Sequence, residues 1–277
     1  MIFQRALLTS AIIATTVGLA ACTTGTNTDT QASANAAAPA LIEMNLLGTY
    51  TPEGNVFDES AAEIVAHDAA NQRLFVVNAN AATVDVLDIR NPSAPVLVNT
   101  IDATREGASA NSVAVYGDLV AVAIEAEEKQ DNGKVVFYNA ADLSKAGEVT
   151  VGALPDMVTF TRDGKKVLVA NEGEPNDDYT RDPEGSVSVI DLSNGVAKAT
   201  VKTADFRAFN GREPALREAG IRIFGPGASA AQDFEPEYIA VSVDNTRGWR
   251  TEKQRPGSNA RPLCISHRHI QRRHLLV

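Results

Sequence analysis

"DMVTFTRDGKKVLVANEGEPNDDYTRDPEGSVSVIDL" occupies residues 156–192 and decides the fold. A short apolar run comes first, then the polar turn "RDGKK", then a second apolar run. A long acidic loop follows, and the stretch closes on "SVSVIDL", in which apolar residues alternate with polar ones. β-Branched and aromatic residues at every second position mark strands, and Asp-Gly between them marks a tight turn. Two earlier stretches lie over this one: "AEIVAHDAANQRLFVVNANAATVDVLDI" at 62–89 and "NSVAVYGDLVAVAIEAEEKQDNGKVVFYNA" at 111–140. A fourth opens as "EYIAVSVDNTRGW" at 237–249, and the starts at Ile64, Val113 and Val158 are 49 and 45 residues apart. "APVLVNTID", "AGEVTV" and "AKATVKT" add a fourth strand to the first three units. Four strands per unit at this period is the pattern of a β-propeller, in which radial stacking buries the faces that a lone sheet leaves open. The predicted fold is all-β: an incomplete propeller of three four-stranded blades and the start of a fourth, over residues 41–249.

The remaining segments have other characters. "MIFQRALLTSAIIATTVGLAAC" carries Arg5, an apolar run from Ala6 to Leu19, then small residues. That is a secretory signal layout, with a run short for a transmembrane helix. Leu19-Ala20-Ala21-Cys22 resembles the bacterial lipoprotein box, which implies a signal peptide over 1–21 and lipidation of Cys22 at the mature N-terminus. Residues 23–40 are small and polar and read as a tether. The expected location is the bacterial cell envelope, on the outer membrane facing periplasm or surface, with the lipid making the membrane a partner.

The chain as a whole carries a net charge of −10, whereas residues 250–277 hold six Arg and one Lys against one Glu. The body is therefore strongly acidic, which argues against nucleic acid and anionic membrane surfaces and favours cationic ligands or metal ions. Two cysteines, Cys22 and Cys264, make no disulfide framework.

Three stretches carry a more specific likeness: residues 56–89, residues 171–192, and "GIRIFGPGASAAQDFEPEYIAVSVDN" at 220–245. They resemble the choice-of-anchor I family, secreted or anchored bacterial propellers related to YVTN-type propellers and to a mesenchyme-specific cell-surface glycoprotein of animals. The resemblance runs from about Leu41 to Trp249 and implies a propeller of roughly seven blades.

Numbering the strands of a blade A to D from the axis outward, the B–C loops and D–A connections share one face, because neighbouring strands are antiparallel. The B–C loops at 125–133 and 171–185 carry Glu125, Glu127, Glu128, Asp131, Glu172, Glu174, Asp177, Asp178, Asp182 and Glu184. "GALPD" adds Asp156 as a D–A connection, and the insertion before the fourth unit adds Arg212, Glu213, Glu235 and Glu237. Massed carboxylates are the ligand type of Ca²⁺, which takes six to eight oxygens. They would equally suit another divalent metal that polarises a phosphoryl oxygen, or a solvated acidic surface. Glu172, Glu174, Asp177, Asp178 and Asp182 are the candidate metal ligands. No stretch fits the EF-hand pattern, and no nucleophile is marked. The predicted function is a binding module for an extracellular protein or carbohydrate; the alternative is a metal-dependent phosphoesterase working on the acidic face.

His67 sits on the first inner strand and reads as structural, as does Trp249 at the close of the second strand of the fourth unit. Cys264, His267, His269 and His274 only partly match a zinc spacing. From Arg250 the alternation stops and the charge reverses. Read one base later, the codons of Lys253–Ser258 permit "NNALAV", the continuation that the family resemblance implies. The stretch 250–277 is therefore expected to be an out-of-frame, disordered tail, and the chain a fragment of a longer propeller.

Overall fold

The computed structural model describes residues 44–52, 61–245, 247–252 and 263–266. Each alternating run becomes a strand, and each unit becomes one antiparallel sheet. Blade 1 consists of β1 (Val65–Asp68), β2 (Arg73–Asn78), β3 (Thr83–Asp88) and β4 (Val96–Asp102). Blade 2 consists of β5 (Ala110–Tyr116), β6 (Leu119–Ile124), β7 (Asn132–Asn139) and β8 (Lys145–Ala153). Blade 3 consists of β9 (Pro155–Phe160), β10 (Lys166–Asn171), β11 (Ser186–Asp191) and β12 (Thr200–Asp205). In all three the spatial order follows the chain. A three-stranded sheet comes next, with β13 (Pro236–Val241), β14 (Arg247–Glu252) and β15 (Leu263–Ser266) in order. Between blade 3 and that sheet lie the short helices α1 (Glu213–Glu218) and α2 (Ala230–Asp233).

Local chemistry sets the hairpins. Asp68 ends β1 and accepts from the backbone N–H groups of Ala70 and Asn71, both at 3.1 Å. In blade 3, Asp163 accepts from the Thr161 hydroxyl at 2.7 Å and from the Lys165 N–H at 3.2 Å, and Gly164 supplies φ +67°. Asp in such a turn satisfies N–H groups that the ladder cannot reach.

Alternation places the core in the seams between sheets. Val120, Val122 and Ile124 of β6 pack into the seam with blade 1, against Phe75, Val77, Val84 and Val86. Their sequence neighbours Ala121 and Ala123 point the other way, into the seam with blade 3, where Phe137, Val167, Val169 and Ile190 meet them. A third cluster joins blade 3 to the insertion and β13 through Phe206, Phe209, Phe234, Leu216 and Ile239. Every second residue of a central strand thus leaves water on each side, so the stabilisation from apolar burial depends on adjacent blades.

Two expectations change. The predicted "GALPD" loop is not a loop: β8 runs to Ala153, β9 starts at Pro155, and Leu154 alone makes the connection at φ +46°. Asp156 therefore stands inside β9. The predicted boundary at Trp249 falls inside β14, which continues to Glu252 against β13, and Leu263–Ser266 pairs with β14. The physical reason is the free edge of β13, whose unused N–H and C=O groups accept any chain able to extend beside them. The stretches 1–43, 253–262 and 267–277 lie outside the described residues. They hold the signal peptide, Cys22, the tether and His267, His269 and His274.

Candidate functional site

The B–C loops of blades 2 and 3 do lie on one face, and residues of opposite charge tie them together. The Arg181 guanidinium in the blade 3 loop reaches Asp131 and, at 3.9 Å, Glu128 in the blade 2 loop. Gln130 donates to the Glu174 carbonyl at 3.2 Å, and Lys129 lies 3.8 Å from the Glu174 carboxylate. Glu184 takes Arg207 from the insertion. Over residues 125–131 and 172–185 the loops hold ten carboxylates against two cations, Lys129 and Arg181, and both cations are engaged. The face stays strongly negative and is held in one arrangement.

The five proposed metal ligands part company here. Glu172 is buried, with its backbone N–H on Leu154 O at 2.8 Å. Glu174 faces Lys129. Asp177 is exposed. Asp178 accepts from the Thr180 hydroxyl at 2.6 Å and the Thr180 N–H at 3.1 Å, bonds that hold its carboxyl below the usual range. Asp182 stands against the insertion, and its backbone carbonyl accepts from Gln232 at 2.9 Å. Among the described residues no group of three or more His, Cys, Asp or Glu is gathered as for a metal ion.

The Asp182 carboxyl is pushed upward. Burial does most of this, and the nearby Asp233 charge adds to it. Its Oδ1 atom is buried without a hydrogen-bond partner among the described residues. The Asp233 carboxylate is occupied: it accepts from the Phe224 and Gly225 N–H groups, both at 2.7 Å. Glu213, expected on the acidic face, instead accepts from the N–H groups of Gly211 and Ala230, each at 3.0 Å, and so braces the insertion. Its own backbone N–H first, then those of Ala230 and Gly211, hold its carboxyl below the usual range. Arg212 covers the Phe209 ring at 5.8 Å. His67 lies on β1 with its side chain exposed.

One feature escaped the sequence reading. The inner strands of blades 2 and 3 and of the fourth sheet each slip register at the same place. The ladder passes from Ala110 to Ser112, from Pro155 to Met157 and from Pro236 to Tyr238. The extra residues are Asn111, Asp156 and Glu237. A bulge turns one side chain out of the ladder and bends the strand. Asn111 shows the result: its side-chain amide reaches Glu125 at 3.3 Å and the Pro155 carbonyl at 3.4 Å, joining inner strand, B–C loop and next blade. Aligning "ANSV", "PDMV" and "PEYI" would have exposed the repeated polar position.

Stacked four-stranded antiparallel sheets with their loops on common faces define a β-propeller, here of three complete blades and a further sheet. The chain belongs to the choice-of-anchor I family, whose domain profile matches residues 63–251. Among solved structures, the Cps50 (Swd1) β-propeller domain of Myceliophteria thermophila is 12% identical, with a TM-score of 0.48 over 76% of this chain and 53% of that one. Hydrazine synthase of Kuenenia stuttgartiensis is 14% identical, with a TM-score of 0.47 over 74% of this chain and 51% of that one. The nidogen/laminin complex is 9% identical, with a TM-score of 0.45 over 77% of this chain and 63% of that one. The chain thus spans about half the length of the first two, and the likeness is one of fold alone. No curated protein matches the chain.

Proposed function

We propose that this chain is an interaction module of the bacterial cell envelope, held by a lipid on Cys22, and that its acidic loop face binds a basic protein partner. The observation that carries the reading is the surplus of carboxylates on loops that are already cross-linked. Binding a cationic surface there needs little loop ordering, and ordering is a main cost of association. The negative field also speeds encounter with a cationic partner. Membership of the family supports the envelope setting. No observation favours the phosphoesterase alternative.

The test uses a ten-residue lysine peptide as probe, titrated calorimetrically at two salt concentrations. The expected result is saturable binding that weakens steeply with salt and is lost in the double variant Glu127→Lys/Asp177→Lys, whose targets are exposed. Binding that ignores both salt and charge reversal sinks the reading. The anchor is tested separately: radiolabelled palmitate should mark the wild-type chain in cells and not Cys22→Ser.

A further inference from the structure

Blades 1 and 2 part at their outer rim to leave a cleft of about 320 Å³, far from the acidic loops in chemistry. One wall is the end of β4 with the turn after it, Thr100, Ile101, Asp102 and Arg105. The other wall is Tyr138 of β7, Leu143 of the following turn and Lys145 of β8. The cleft is braced by cross-blade contacts. Arg73 of blade 1 donates to the carbonyls of Ala140 and Ala141 in blade 2, at 2.9 and 3.1 Å. Lys145 reaches Glu106, in the connection between the blades, at 2.7 Å.

Three properties define what fits. First, the charged groups lining the cleft are already matched. Lys145 lies between Glu106 and Glu148, each at 2.7 Å, and Arg105 lies 3.2 Å from Asp102. A charged ligand would have to break one of these pairs, while a neutral one can hydrogen-bond to both members of a pair. Second, Ile101 and Leu143 give part of the wall an apolar surface. Third, Tyr138, whose residue as a whole is 7% exposed, stands on the wall of the cleft. Burial first, then the charge of Glu106, pushes Tyr138 up to about 12, so it keeps its proton and can donate.

We propose that this rim cleft binds one neutral sugar unit. A sugar ring presents C–H groups on one side and vicinal hydroxyls at its edge, and each hydroxyl both donates and accepts. The carboxylate and ammonium of a matched pair satisfy both roles at once, while the C–H side meets Ile101 and Leu143. Tyr138 supplies the fixed donor. The volume is at the small end for ligand sites, which fits a single unit.

The experiment follows amide resonances of the full chain during titration with a panel of neutral methyl glycosides, up to about 100 mM to cover weak binding. Citrate and lysine methyl ester are the charged comparators. A saturable shift is expected at residues 100–106 and 138–145 with at least one glycoside. Tyr138→Phe keeps the ring in the core and should weaken that binding about five-fold, the worth of one hydrogen bond. Thr100→Trp, at an exposed strand position, should fill the cleft and abolish it. The proposal is overturned if no glycoside saturates these resonances, if both variants bind as the wild type does, or if a charged comparator binds in the cleft more tightly than every glycoside.

Discussion

Blade 3 is covered on both faces, and the two covers are made differently. Toward blade 2 the cover is another sheet: Val167, Val169 and Ile190 meet Ala121, Ala123, Val135 and Phe137. On the far side the insertion supplies much of the cover. Phe206 and Phe209 each lie 5.7 Å, centroid to centroid, from Phe234. Leu216 of α1 and Ala230 and Ala231 of α2 fill in around them. The insertion's backbone comes close enough that a Cβ on Gly185 would lie 1.9 Å from the Phe234 carbonyl oxygen. The first seam is periodic because strands make it. The second has no period because loops and single helical turns make it, yet its core residues are as dry: Phe137 and Phe234 are both 0% exposed.

The largest expected effect tests whether the aperiodic seam is a true core. Phe234→Ala should cost about 3–5 kcal/mol, the usual range for a buried Phe, and so should Phe137→Ala in the strand seam. Urea denaturation of both variants measures this. If Phe234→Ala stays within about 0.5 kcal/mol of wild type, as a surface loop residue would, the two seams are not equivalent and the insertion is only an appendage.

How far each seam could be read from sequence follows from the same contrast. Residues 157–160 and 167–170 announce strands as short apolar runs and 187–190 by alternation, and the sheets appear where those patterns place them. For its contacts, the insertion offered the sequence only its charged residues and, at 220–245, a family likeness. Its phenylalanines stand at irregular spacings, so nothing local says that they meet. Leu154 hid the tight β8–β9 junction, because a left-handed leucine leaves no mark of the kind that glycine does. On the candidate site, the carboxylates were legible by count. Their partners were not, since Arg181 finds Asp131 across 50 residues. The Tyr138 cleft had no sequence signal, because its walls come from two blades.

A medium effect separates the insertion's polar contact from its apolar one. Asp182 stands where the insertion meets the blade 3 loop, and its carboxyl is pushed above the ordinary 3.8, by burial first and then by Asp233. The folded state therefore holds this proton more tightly than the unfolded chain does. That contribution is fully present below the unfolded pKa and is lost as pH rises through the folded one. Asp182→Asn removes the ionisation. The variant should match wild type most closely in acid and gain relative to it as pH rises from about 4 toward neutrality. Melting temperatures across that interval check this; a gap that stays constant with pH would show that Asp182 ionises as freely folded as unfolded.

The smallest effect belongs to the link between the two acidic loops, and its smallness is the point. Arg181 is 47% exposed, Asp131 58% and Glu128 72%. Pairs so open to water gain little Coulomb energy over hydration, and they also hold long side chains still. Arg181→Ala should therefore cost at most about 1 kcal/mol, with less loss in high salt. The seams beneath the loops carry the stability, so the fold should not notice the change. The loops should. Without Arg181 the carboxylates of Glu128 and Asp131 lose the cation that draws them toward blade 3, and the 125–131 and 176–182 segments should exchange their amide hydrogens faster. Hydrogen exchange read residue by residue, beside a urea melt, separates the two outcomes. Faster exchange confined to those loops, with the melt nearly unchanged, marks Arg181 as the residue that sets the shape of the acidic face. A loss of several kcal/mol would instead make the ion pair part of the core's cooperative unit, and the division between a stable seam and a positioned surface would fail.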